Sequence, residues 1–294
     1  MVIKHLVIAG GGPVLVQILA SIQELEKHKY LNMKDITSIY GTSAGAIIAV
    51  FISLNFDWET INDYIIKRPW QDVFQIKPQT ILDAYSNKGI FDIKTVEKCF
   101  KPMFDAKDIP IDITMKGFYE LTNIELHIFS FEINKYKTED ISFKTHPELS
   151  LITAIQMTSA IPVLISPVFI EDQCFMDGGV GCNYPLSYCI ESGKHPDEIL
   201  GFKTNFSSSK ANITTDCNLL DYLLNFLFKS VFNVNNNCIQ PVIQNQVVFE
   251  SGCLSLDVLK TAISNIAVRR ELFEKGKQSA TTFLAGNLGS LLKK

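Results

Sequence analysis

The sequence has no arginine–lysine run, no CxxC pair, no clustered histidines and no apolar stretch long enough to cross a bilayer. Each absence removes a class of function. With no basic cluster and a formal net charge of −4, the chain lacks the cation array that grips nucleic-acid phosphates whatever their sequence. Without Cys and His at ligand spacing, no zinc centre is expected, and no other motif calls for a cofactor. The seven cysteines, at 99, 174, 182, 189, 217, 238 and 253, are odd in number. The N-terminal apolar run is too short for a secretory signal and is broken at once by glycines. Both features fit free, mostly buried thiols in a reducing, cytoplasmic setting. Internal repeats, low-complexity tracts and Pro/Ser-rich linkers are also missing.

What is there reads as a packed α/β protein. Hydrophobic residues make up 47% of 294, enough for a substantial core and too many for disorder. Ile3 to Ala9 is a nearly continuous apolar run, as in a parallel strand covered on both faces. Gly10-Gly11-Gly12-Pro13 interrupts it, and Pro13 suits the first turn of a helix. Val14, Ile18, Ile22 and Leu25 follow at helical spacing. Ile36 to Tyr40 then reads as a second strand and Ala44 to Leu54 as a second helix. This order predicts a three-layer α/β/α fold around an open, mainly parallel sheet.

Further on, Trp58 to Lys67 reads as helix and Ile124 to Ile133 alternates as a strand. Ser150 should cap a helix running to Ser159, ending ahead of Ile161-Pro162. Val168 to Phe175 reads as one strand leading into Met176-Asp177-Gly178-Gly179. Glu198 to Phe206 is a further strand, with a turn at Ser207-Ser208-Ser209. No clean boundary appears. The expected organisation is a catalytic core over residues 1–205, with a C-terminal helical extension over 206–294 packed on the same domain.

Gly41-Thr42-Ser43-Ala44-Gly45 fits the G-x-S-x-G nucleophile elbow. In that motif a strained strand-to-helix turn lifts the serine out of the sheet, and Gly41 and Gly45 let neighbouring backbone pass. The competing reading is an ordinary serine N-cap. A nucleophile needs a base, and none of the five histidines (5, 28, 127, 146 and 195) is framed by glycines or follows a strand end. Asp177 follows an apolar strand and is trailed by Gly178 and Gly179. Strand ends are where open α/β sheets bind ligands, so its carboxylate is placed to take the serine proton directly. Alone, it could equally open an Asp-Gly turn. Gly10, Gly11 and Gly12 offer unobstructed N–H groups ahead of a helix N-terminus, suited to an oxyanion. As a dinucleotide fingerprint the loop fails at Leu15, and as a P-loop it lacks Gly-Lys-Ser/Thr.

Glycine loop, elbow and Asp-Gly-Gly, in this order, resemble the patatin-like phospholipase family of lipid acyl hydrolases. Ser159-Ala160-Ile161-Pro162 and Asp177-Gly178-Gly179-Val180-Gly181-Cys182-Asn183-Tyr184-Pro185 resemble the family's stretches on either side of the aspartate. The similarity covers roughly residues 3 to 205, and the late helix around Leu272 to Ala280 is similar as well. It implies a patatin-like fold, Ser43 as nucleophile, Asp177 as base, the Gly10–Gly12 loop as oxyanion hole, a lipid ester as substrate and no metal for chemistry. The family loop usually reads G-G-G-x-Arg/Lys-G, whereas this chain has Val14 and Leu15. The Val14 amide can still donate, but the cation is gone. Weaker oxyanion stabilisation is expected, giving either a slower enzyme than its relatives or one favouring neutral esters. A catalytically silent lipid- or protein-binding module and an acyltransferase are the alternatives.

Residues 218 to 232, NLLDYLLNFLFKSVF, are the most apolar stretch, with Asn218, Asp221, Asn225 and Lys229 forming one polar stripe. The stretch is too short and too polar to span a bilayer. It is either packed into the protein, the favoured reading, or its broad face meets a membrane surface or a second subunit.

Overall fold

The structure is a computed structural model that describes residues 2–206, 213–217, 219–237, 240–252 and 255–291. The Ser207–Ser209 turn, Asn218, Cys238 and Cys253 lie outside the described residues.

In chain order the first elements are β1 (His5–Ile8), α1 (Leu15–Lys27), β2 (Ser38–Thr42) and α2 (Ala44–Ser53). Next come α3 (Trp58–Asn62), running into a wider turn at Asp63–Lys67, then α4 (Trp70–Val73), α5 (Pro78–Asn87), β3 (Gly89–Phe91), α6 (Ile93–Asp105) and α7 (Met115–Thr122). The hairpin β4 (Glu125–Glu132) and β5 (Lys137–Ile141) precedes α8 (Leu151–Ser159), β6 (Val163–Ile165), β7 (Val168–Ile170) and β8 (Gln173–Asp177). The chain closes with α9 (Leu186–Glu191), β9 (Ile199–Phe206), α10 (Leu219–Asn237), β10 (Gln246–Ser251), α11 (Leu256–Ser264) and α12 (Ile266–Leu291).

Five strands, in the order β10-β9-β1-β2-β4, pair in parallel, and β5, β8 and β7 are antiparallel additions around β4. A separate ribbon joins β3 to β6 in parallel. The sheet is covered on both sides. From β1, Leu6 and Ile8 pack with Ile18, Ile48 and Phe273, on α1, α2 and α12. Val7, pointing the other way, packs with Tyr40, Leu186 and Cys189. A strand buried on both faces needs no polar alternation, which is why the run Ile3 to Ala9 is legible as one.

Three expectations change in the structure. Val168 to Phe175 is a hairpin, with β7 paired antiparallel to β8. The two acids Glu171-Asp172 interrupt the apolar run, and Glu171 turns the chain at φ 52°. All of β4 is buried, because β5 and the helical layers enclose it; its polar side chains Glu125, His127 and Glu132 are paired. Finally, the C-terminal segment supplies β10 to the main sheet as well as helices. Its long helix α12 lies along α1, so closely that a Cβ on Gly276 would stand 2.1 Å from the Gln17 carbonyl oxygen.

Candidate active site

Strand register alone brings two distant residues together. Thr42, the last residue of β2, pairs with Phe129, and Asp177, the last of β8, pairs with the next residue, Ser130. Because β5 pairs Ile128 to Glu132 on one edge of β4, β2 and β8 must share the other. One runs parallel to β4 and the other antiparallel, so their C-terminal ends meet head-on. Ser43 leaves one end and Asp177 forms the other.

At the first end, Ser43 adopts φ 52° and ψ −120°, a conformation costing a non-glycine residue about 1–3 kcal/mol. The surroundings hold it there. Its N–H donates to Thr158 Oγ1 at 2.8 Å, and that hydroxyl in turn donates to the Phe129 carbonyl. Its carbonyl accepts from the Ala46 and Ile47 amides, which begins α2. Gly45 must be glycine, since a Cβ would lie 2.3 Å from the Ile8 carbonyl oxygen of β1. The helix therefore starts hard against the sheet, with its positive dipole end at Ser43.

At the second end, the Ser43 hydroxyl donates to Asp177 Oδ2 at 2.7 Å, and the Gly179 N–H donates to Oδ1, also at 2.7 Å. The Asp177 N–H donates to the Ala160 carbonyl at 3.0 Å, fixing the strand end to the close of α8. Asp177 is 8% exposed. Burial pushes its pKa up to about 6, with the Ser43 and Gly179 hydrogen bonds pulling the other way. A carboxyl with its pKa raised to about 6, hydrogen-bonded to a serine in strained geometry, has the placement needed to accept that serine's proton.

The glycine loop borders this pair. A Cβ on Gly10 would sit 3.3 Å from the Ser43 Cβ. Asn183 ties the loop down twice: its carbonyl accepts from the Gly10 N–H at 3.1 Å, and its side-chain amide donates to the Gly10 carbonyl at 3.3 Å. Gly12 has φ 53°, and Pro13 opens a short 3₁₀ turn, Gly12–Val14. In that turn the Val14 N–H donates to Gly11 O at 3.2 Å. Of the four expected oxyanion donors, Gly10 and Val14 are thus already engaged. The N–H groups of Gly11 and Gly12 meet no backbone carbonyl among the described residues. Val14 is 3% exposed and belongs to the core, so the position matching the Arg/Lys of the family pattern is an apolar one here.

The motif glycines Gly41, Gly45, Gly178 and Gly179 all lie at these two strand ends. No histidine hydrogen-bonds to Ser43. His5 bonds Ser38 at 2.8 Å, and burial lowers its pKa to about 4. His127 stacks on Tyr40 and lies between Asp140, at 2.8 Å, and Glu125, at 3.2 Å. Burial pulls its pKa down, but the two carboxylates outweigh this and raise it. His28, His146 and His195 make surface contacts with Glu24, Thr145 and Asp197.

Sequence reasoning missed Thr158 and Ser130. The Ser130 hydroxyl bridges the Met157 and Met176 carbonyls at 3.0 and 2.8 Å, clamping α8 to β8 under the site. Their only signal is polarity in otherwise apolar segments, which identifies a buried hydrogen bond without saying to what. Thr204 of β9 also touches the loop. Its side chain would lie 3.3 Å from a Cβ on Gly11, and its buried hydroxyl has no hydrogen-bond partner among the described residues.

A parallel-sheet α/β fold with a serine elbow meeting an Asp-Gly-Gly strand end defines a class of proteins. The chain belongs to the patatin-like phospholipase family, which it matches over residues 6–190. A protein of Invertebrate iridescent virus 6 named "Probable lipid hydrolase 463L" is 25% identical over 217 residues, covering 71% of this chain and 73% of the viral one. Uncharacterized protein YqhO of Bacillus subtilis is 25% identical over 204 residues, covering 63% of this chain and 67% of its own. Among solved structures, VipD from Legionella pneumophila superposes with a TM-score of 0.59 at 16% identity, covering 96% of this chain and 67% of VipD. At that identity the likeness concerns the fold.

Proposed function

We propose that the chain is a lipid acyl hydrolase working through a Ser43–Asp177 dyad. The observation that carries this reading is the 2.7 Å hydrogen bond from the serine hydroxyl to a buried carboxylate, made across 134 residues of sequence. Asp177 takes the Ser43 proton as Oγ attacks the ester carbonyl. The Gly11 and Gly12 amides, with the N-terminal end of α2, receive the developing oxyanion. As the tetrahedral adduct collapses, the C–O bond to the alcohol breaks and Asp177 returns the proton to the leaving oxygen. Water then attacks the acyl-enzyme, giving its proton to Asp177 and its oxygen to the released fatty acid; Ser43 regains its hydrogen.

Family membership and the viral relative's name support a lipid ester as substrate. The apolar Val14 position supports neutral over strongly anionic head groups, since the side chain there is a buried valine and not a cation. The test is fatty-acid release from a panel of phospholipids, lysophospholipids and acylglycerols. Ser43→Ala should lower turnover by on the order of a thousandfold or more. Hydrolysis surviving that substitution rules out the dyad. Acyl transfer to an added alcohol acceptor, exceeding release to water, would move the chain to the transferase reading.

A further inference from the structure

Helix α5 breaks the usual rule for a surface helix, which turns its apolar stripe inward. None of its residues is buried, yet it carries Ile81, Leu82 and Tyr85, which are 59%, 71% and 94% exposed. It is anchored at its C-terminal end, where Lys88 turns the chain at φ 60° into β3. The Lys88 ammonium lies 5.4 Å over the ring of Phe169, itself largely exposed. Helix α10 is two-sided. Leu224 and Phe228 pack against Ile90, Leu164 and Ile165 of the β3–β6 ribbon and against α11. Leu219, Tyr222 and Leu223, at helical spacing, are exposed on its outer side. Helix α10 thus packs on one side, as the favoured sequence reading expects, and leaves these side chains exposed on the other. The same helix rests against the Gly178–Val180 turn that directly follows Asp177.

We propose that the exposed apolar side chains of α5, Phe169 and the outer side of α10 together make a face that docks on a lipid–water interface and presents aggregated lipid to Ser43. The inference rests on reading the site as a lipid acyl hydrolase. Three observations favour a lipid surface over a protein. Both helices pack on elements that lead to the site, α5 on β3 of the ribbon and α10 on the ribbon and on the turn after Asp177. Lys77 and Lys88 at the two ends of α5 and Lys229 on α10 are exposed cations able to pair with head-group phosphates, although the whole chain is net negative. Tyr85 and Tyr222 carry rings with a polar tip, the side chains that settle at head-group level. Asp83, the exposed acid of α5, accepts a hydrogen bond from Gln79 at 2.8 Å.

The test separates docking from chemistry. Ser43→Ala protein, which leaves lipid intact, is sedimented with vesicles of phosphatidylcholine alone and of phosphatidylcholine with phosphatidylglycerol. Binding is expected to both and to be tighter with the anionic lipid. Adding Leu82→Asp with Tyr85→Asp, or Leu219→Asp alone, should weaken partitioning by roughly tenfold or more with an unchanged circular dichroism spectrum. In the chain with Ser43 intact, these substitutions should lower the ratio of vesicle to water-soluble short-chain ester turnover by a similar factor. Unchanged vesicle binding in both variants overturns the proposal. So does a shift from dimer to monomer in sedimentation velocity without loss of vesicle binding, since the face would then serve a second copy. If vesicle binding follows the expected pattern but no ester of any kind is cleaved, the surface stands and the site reading fails. If short esters are cleaved while vesicles are ignored, the site stands and the surface fails.

Discussion

Asp177 sets the pH behaviour at the residue scale. As the proposed base it must be ionised, so turnover should fall about tenfold per pH unit below its pKa of about 6, which a pH–rate profile reads directly. Stability runs the other way. A carboxyl whose pKa is higher folded than unfolded binds its proton more tightly in the native state. Its contribution is therefore complete below pH ~4 and lost as pH rises to about 6, by up to about 3 kcal/mol. Asp177→Asn should abolish turnover yet melt no lower than the native chain at pH 8; a clearly lower melting temperature contradicts this sign. Val14→Arg, a substitution that restores the family's cation on paper, should lower the melting temperature rather than raise turnover, because the side chain it replaces is in the core. Ser43 and Asp177 were legible because each carries its own glycine frame in the sequence. Thr158 was not, since its role exists only where α8 crosses the end of β4.

Among the elements, the site depends on two strands ending against one another along β4, and on α2 starting without clearance. Gly45→Val should therefore cost several kcal/mol in denaturant unfolding, because the backbone of β1 occupies the space its side chain needs. Thr158→Val removes the acceptor that holds the Ser43 N–H while preserving shape. It should cost ~1–3 kcal/mol and lower kcat more than it raises KM. The early β-loop-α-β-elbow-α order could be read from the sequence because glycines mark the loop after β1 and the elbow after β2, and apolar spacing marks the elements between. The β7–β8 hairpin could not, because its turn is made by two acids inside an apolar run and not by a glycine. Nor could β10, whose place in the sheet is fixed by pairing with β9 rather than by any local signal.

Over the whole molecule, the C-terminal segment closes the structure instead of trailing from it. Val247 and Phe249 of β10 and Phe273 of α12 join the main core. Arg269, 4% exposed, donates to the carbonyls of Ile66, Ala262 and Ile263 at 2.8, 2.7 and 2.8 Å, tying α12 to the region after α3. Arg269→Ala should cost ~3 kcal/mol or more by leaving those carbonyls unpaired, measured as a shift in denaturant midpoint at constant slope. Among the described residues no helix is long and apolar enough to cross a membrane. The central claim is that a carboxylate activates Ser43 for attack. Labelling by a fluorophosphonate probe, followed by peptide mapping, tests it most directly. The account predicts a single adduct on Ser43 in the native chain and a rate at least ~100-fold slower in Asp177→Asn; no adduct, or equal labelling of both chains, would contradict it.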